Sequence, residues 1–280
     1  MVSSSARNRQ PVVLLVFANE RADRARYLRN LGKECEQLEE LLRPLEESGL
    51  IELDVLHNAT AETLAARLSE YDGRTAILHY GGHASSLALF LEDEIGQAVE
   101  VSGEDLAAIL SLQQELKLVF LNGCLTDGHI ELLLDAGIPA VIGTTAAVPD
   151  TTALTFADEF YSQLAKGYTI ARAYQSAAAA TRLQRGKVQG SYHTVDGQII
   201  LDNPVGAPWV LQYRPGAEQV ANWNIPAAAG NYLFNLPPLP EHPLPANPYH
   251  EVLAWYGAGE AEIFFGRGRQ IRDLYLRLTA

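Results

Sequence analysis

The sequence predicts an α/β fold in which helices cover both faces of a mainly parallel sheet. Three observations predict it. Short apolar runs rich in Val, Ile and Leu recur at 12–18, 75–79, 117–122 and 139–144, the mark of strands buried on both faces. Segments with apolar residues spaced three and four apart lie between them, as helices alternating with parallel strands require. The 280 residues, 48% hydrophobic and 20% charged, are enough for one large core or two small ones without disulfide staples.

The elements follow in order. Residues 1–10 are polar and expected to fray. VVLLVFA at 12–18 is the first buried strand. A long helix is expected over roughly 20–47, with Leu28, Leu31, Cys35, Leu38, Leu42 and Leu45 on one face and Ser48-Gly49 as its stop. Cys35, inside that stripe, reads as a small buried hydrophobe. IELDV at 51–55 is a short strand, and Thr60 caps a helix over 61–70. TAILH at 75–79 is a buried strand, with LALFLED at 87–93 a strand returning from it. Ser102 with Asp105 opens a helix. KLVFLN (117–122) and PAVIGT (139–144) are buried strands, and helices follow at about 151–166 and 169–185. PWVLQY at 208–213 closes the main domain as its last strand. Ten of the 14 prolines lie beyond residue 200, and 236–248 reads as an extended linker before an amphipathic helical segment at 249–280.

Composition excludes several classes. Lys plus Arg number 21 against 34 Asp plus Glu, a net charge of −13 that repels phosphate backbones, so direct nucleic-acid binding is not expected. The longest apolar stretch, 12–18, is far too short to span a membrane and lacks a cleavage site, so a cytoplasmic location without membrane association is expected. Two cysteines, Cys35 and Cys124, make no disulfide framework. No dinucleotide fingerprint, phosphate-binding loop or serine nucleophile elbow occurs.

Two strand ends carry the candidate chemistry. One runs into His79-Tyr80-Gly81-Gly82-His83-Ala84, the other into Asn122-Gly123-Cys124-Leu125-Thr126. If these strands are parallel and adjacent, His83 and Cys124 emerge at one edge of the sheet, where α/β folds place their sites. A histidine that takes a thiol proton creates the thiolate nucleophile. The main-chain N–H groups of Ala84 and Cys124 are the candidates for holding the oxyanion. His79 reads as a core residue. A zinc site from His83, Cys124, Asp127 and His129 is disfavoured, because no ligand pair has helical or knuckle spacing. Asp127 and His129 more simply begin the next helix, where an acidic residue suits the dipole. No metal or cofactor is expected.

The order strand–HYGGHA, strand–LNGCLTDG, AGIPAVIGTTAAVPD and a helix ending FYSQLAKG resembles the CHAT domain, a caspase-like and mostly prokaryotic family of cysteine peptidases. The resemblance spans roughly residues 10–215. It implies a three-layer α/β/α sandwich with a mainly parallel six-stranded sheet, and a peptidase acting on a protein or peptide. It implies His83 as general acid/base, Cys124 as nucleophile, and the N–H groups of Ala84 and Cys124 as oxyanion donors. Ala84 stands where caspases have Gly but keeps its N–H. Gly82 and Asn122 are the substrate-pocket candidates. In metacaspase-like relatives the residue two before the nucleophile is Asp, which pairs with a basic substrate side chain. Here it is the uncharged Asn122, so strict Arg/Lys specificity is not expected. Calcium dependence, known in some distant relatives, has no clear site here.

Residues 247–278 are similar to the segment that introduces a STAND-type NTPase module. The expected organisation is a peptidase domain over 1–222, a Pro-rich linker over 223–248 and the start of that module over 249–280, in a chain cut short before its phosphate-binding loop. Such a module would act as a sensor switching the peptidase in a prokaryotic defence or cell-death protein. The competing reading, from another class, is a catalytically silent caspase-like module for interaction or oligomerisation. The sequence leaves the oligomeric state open.

Overall fold

The computed structural model describes residues 10–71, 73–185, 192–195, 198–201 and 208–225. The expectations for residues 1–9, for the Pro-rich stretch and for the helical segment at 249–280 lie outside the described residues.

A six-stranded sheet forms the middle layer. Its strands are β1 (Val12–Ala18), β2 (Glu52–Leu56), β3 (Thr75–Gly82), β6 (Leu118–Asn122), β7 (Ala140–Thr144) and β10 (Trp209–Tyr213). Their order is β10-β7-β6-β3-β1-β2, and every neighbouring pair is parallel except the edge pair β10 and β7. Two separate hairpins pair β4 (Ala88–Glu92) with β5 (Ala98–Ser102) and β8 (Tyr192–Val195) with β9 (Gln198–Leu201).

Side-chain alternation along β1 explains the two outer layers. Val13, Leu15 and Phe17 join one core, with α1 (Leu31–Glu47), α5 (Asp150–Ala165) and α6 (Ile170–Arg185). Val12, Leu14, Val16 and Ala18 join the other, with α2 (Ala61–Glu70), α3 (Gly103–Leu110) and α4 (Asp127–Asp135). Successive strand residues face opposite sides, so a run apolar at every position must be covered twice. A 3₁₀ turn at Glu218–Asn222 follows β10.

Local chemistry accounts for the boundaries. Thr60 caps α2 by accepting from the N–H of Thr63 at 3.1 Å, and Ser102 caps α3 by accepting from Asp105 at 3.0 Å. Pro44 lies in the last turn of α1, near the helix end. One boundary differs from expectation: α1 begins at Leu31, not near residue 20. Asn19 Oδ1 accepts from the N–H groups of Glu20 at 3.0 Å and Leu28 at 2.9 Å, and Asp23 Oδ1 accepts from Ala25 at 2.8 Å. Such local side-chain bonds compete with helical ones and fold 19–30 into a strap instead. The strand expected at 87–93 forms as β4, which returns antiparallel beside the end of β3, Ala84 bridging Leu89, and pairs with β5 outside the main sheet.

Cys35 is buried on α1 with its Sγ 3.4 Å from Nδ1 of His57. Burial, with the charges of Glu39, Glu34 and Glu36 behind it, pushes its thiol up to about 12. The raised value keeps the sulfur protonated through neutral pH, and the protonated thiol is not the nucleophile. In a Cys124→Ala variant Cys35 is the sole thiol. That variant is expected to take up no iodoacetamide at pH 8 when folded and one equivalent in denaturant, as read by intact-mass spectrometry.

Among the described residues, no helix is long and apolar enough to cross a membrane.

Candidate active site

The two loops singled out in the sequence leave neighbouring strands. β3 and β6 are parallel, and Gly81 pairs with Asn122. His83 and Cys124 each follow two residues later, so the register brings both to the same edge of the sheet. The loops touch there. A Cβ on Gly123 would stand 2.8 Å from Ala84 Cβ and 3.0 Å from the Gly82 carbonyl oxygen, so glycine permits the close approach.

The cysteine loop is held from below by β7. Thr144 Oγ1 donates to the Gly123 carbonyl at 2.5 Å, and the Thr144 N–H donates to Thr126 Oγ1 at 2.7 Å. Leu125 adopts a left-handed φ of 54°. That conformation costs a non-glycine residue roughly 1–2 kcal/mol. It turns the chain sharply between Cys124 and the start of α4 at Asp127. The Sγ of Cys124, half-buried, accepts from the Val148 N–H at 3.4 Å.

The imidazole of His83 is held by the strap. Its Nε2 bonds the main-chain carbonyl of Arg26. A carbonyl oxygen only accepts, so Nε2 carries the proton. In the neutral ring, Nδ1 is then the basic nitrogen. The strap is tied at several points. Asn19 brackets Leu28 on both its N–H and its carbonyl, at 2.9 Å each, and Arg26 pairs with Glu20 at 2.9 Å. Arg21 pairs with the buried Glu92 at 2.5 Å.

The main-chain N–H groups of Ala84 and Cys124 have no acceptor among the described residues. Gly82 and Asn122, the pocket candidates, are both buried. A Cβ on Gly82 would meet the Ala18 carbonyl oxygen and the Tyr80 hydroxyl at 2.6 Å each. Asn122 is fully engaged: its Nδ2 donates to Glu34 at 2.6 Å and to the Ala153 carbonyl at 3.2 Å, and its Oδ1 accepts from Trp209 at 3.1 Å. Both therefore lie beneath the surface, packed against the loops that carry His83 and Cys124.

His79 is a core residue, boxed by Phe17, Phe120 and Tyr161 with ring centroids 4.9–5.5 Å away. His129 donates from Nε2 to the Ser85 carbonyl at 2.9 Å, and burial lowers its pKa. Among the described residues no group of three or more His, Cys, Asp or Glu could hold a metal ion. Sequence reasoning missed the Arg26 carbonyl, Thr126, Thr144 and Glu34. The carbonyl carries no side-chain signature, Glu34 lies 88 residues from Asn122, and Thr126, though in the cysteine loop, takes its role from Thr144, 18 residues on.

A family model for the CHAT domain matches residues 1–258. The chain belongs to the CHAT domain family. Among solved structures, this CHAT domain is similar to a secreted C11 cysteine protease from Bacteroides thetaiotaomicron, determined in complex with an irreversible peptide inhibitor. Identity is 9% and the TM-score 0.50, over 75% of this chain and 68% of that one. It is also similar to the Drosophila initiator caspase Dronc, with 13% identity and a TM-score of 0.45, over 74% of this chain and 80% of that one. No curated protein sequence matches the chain. The likeness to the C11 protease speaks for the fold, which is the caspase-like sandwich.

Proposed function

We propose that this CHAT domain is a cysteine endopeptidase with Cys124 as nucleophile and His83 as general acid/base. The observation that carries the reading is the Gly81–Asn122 register, which delivers a histidine and a cysteine to one sheet edge on touching loops. Nδ1 of His83 takes the proton of Sγ, and the thiolate attacks the scissile carbonyl carbon. The carbonyl π electrons move onto oxygen, and the N–H groups of Ala84 and Cys124 stabilise that charge. The imidazolium, still bonded through Nε2 to the Arg26 carbonyl, gives its proton to the leaving amine. The thioester is then hydrolysed by water, with His83 acting as base.

The experiment is covalent labelling. An electrophilic peptide ketone is expected to modify Cys124 stoichiometrically in the native chain, and to fail with His83→Ala. If Cys124 reacts with iodoacetamide no faster than a free thiol at neutral pH, activation by His83 is refuted. The silent interaction module is then the better reading. Regulation by an attached NTPase in a defence or cell-death protein, on cytoplasmic substrates, extends the same proposal and rests on the resemblance of 247–278 alone.

A further inference from the structure

The strap over residues 19–30 gives the proposed chemistry one group, the Arg26 carbonyl that holds His83. Packing does little to fix that carbonyl. Arg24, Ala25, Arg26 and Tyr27 are exposed. A cavity of about 90 Å³ lies between the strap and the body of the domain, lined by Phe17, Asn19, Tyr27, Leu31, Cys35 and His57. A segment with so little buried surface keeps its shape through directed bonds.

Those bonds converge on Asn19, the residue that follows β1. Its side-chain amide meets a single residue twice: Nδ2 donates to the Leu28 carbonyl and Oδ1 accepts from the Leu28 N–H, each at 2.9 Å. Oδ1 also accepts from the Glu20 N–H at 3.0 Å. The main chain of Asn19 is itself pinned. Its N–H donates at 2.9 Å to Oε1 of Glu92, a buried carboxylate at the end of β4. Oε2 of Glu92 accepts from Arg21 Nε at 2.5 Å, and the Ala22 N–H donates to the Gly96 carbonyl at 3.0 Å. The first residues of the strap are thus anchored to β1 and to the β4–β5 hairpin. Asn19 carries that anchorage across to Leu28, two residues past Arg26. A carboxamide suits the task because it holds a donor and an acceptor on one planar group. A carboxylate only accepts, so Asp at this position sets an oxygen against the Leu28 carbonyl.

We propose that Asn19 is a positioning residue for the general base: its clasp on Leu28 fixes the Arg26 carbonyl, and that carbonyl fixes the ring of His83. The inference rests on the peptidase reading. With Nε2–H bonded to a fixed acceptor, the imidazole keeps one orientation and one tautomer, which leaves Nδ1 to take the thiol proton. With the clasp open, the strap is free to shift into the cavity beneath it, and the ring loses that constraint. Asn19 has no bond to Cys124 or to His83, so its whole effect passes through the Arg26 carbonyl.

A double-variant cycle on the full chain tests this. The readout is the rate at which iodoacetamide alkylates Cys124 at neutral pH, followed by peptide mass spectrometry. Asn19→Ala is expected to slow that rate about 10-fold or more, the scale of a misplaced catalytic group. Asn19→Asp, nearly identical in shape, is expected to do the same. In a His83→Ala background Cys124 reacts as a free thiol, and there both substitutions are expected to change nothing. Equal fractional slowing in the two backgrounds shows a merely structural role and overturns the assignment. An undiminished rate in Asn19→Ala with His83 present also overturns it and leaves the peptidase reading standing. A native chain whose Cys124 reacts no faster than a free thiol removes the peptidase reading, and the positioning role with it. Asn19→Asp retains an acceptor for both N–H groups and decides the matter should Asn19→Ala not fold.

Discussion

Cys124→Ala is expected to lower peptide cleavage by about 10³-fold or more, as removal of a catalytic nucleophile does, with the thermal midpoint nearly unchanged. His83→Ala is expected to match it, and the double variant to be no worse than either single one. Residues acting as one unit are strongly non-additive. The small stability cost follows from placement. Cys124 and His83 are both half-buried, on loops past the strand ends, and such side chains contribute modestly to folding. The loop itself is fixed by Thr144, which bonds the Gly123 carbonyl and Thr126, and these bonds survive both substitutions. Initial rates on a peptide library with thermal melts of the same samples check this. Cleavage that persists in Cys124→Ala would sink the nucleophile assignment.

The largest stability effect is expected at Trp209. It is fully buried on β10 and stacks on Phe156 with centroids 4.2 Å apart and planes 8° from parallel. Its Nε1–H donates to Asn122 Oδ1 at 3.1 Å. Trp209→Ala opens a cavity where the antiparallel edge strand meets α5, at about 3–5 kcal/mol. For the described domain that corresponds to a fall in melting temperature of roughly 6–20 °C. Trp209→Phe keeps the aromatic stack but leaves the Asn122 oxygen without its donor, at about 1–3 kcal/mol. The graded pair separates packing from hydrogen bonding. Equal losses in the two variants would show that the indole N–H, not ring volume, dominates. Because Asn122 is two residues from Cys124, the Phe variant is also expected to slow Cys124 labelling more than its stability loss explains.

Much of the fold was legible because the responsible interactions are local. The apolar runs at 12–18, 118–122 and 140–144 are buried at every position, and their composition shows why. Thr60 and Ser102 mark helix starts through bonds that span three residues. The start of α1 was misread because the apolar spacing of Leu28 and Leu31 continues a helical pattern into a strap. Asn19 closes that strap with bonds to Leu28, nine residues away. Periodicity registers side-chain spacing and is blind to such backbone-directed bonds.

The sequence by itself determined the alternation of strand and helix and the two glycine-flanked strand ends bearing His83 and Cys124. These are set by side-chain spacing and by the conformational freedom of glycine. Tertiary structure alone decided that β3 and β6 are neighbours. It also decided that the Arg26 carbonyl faces His83 and that Glu34 meets Asn122. Strand order and contacts across 57 and 88 residues depend on how the layers close around two cores, and nothing near either residue in the chain encodes its partner.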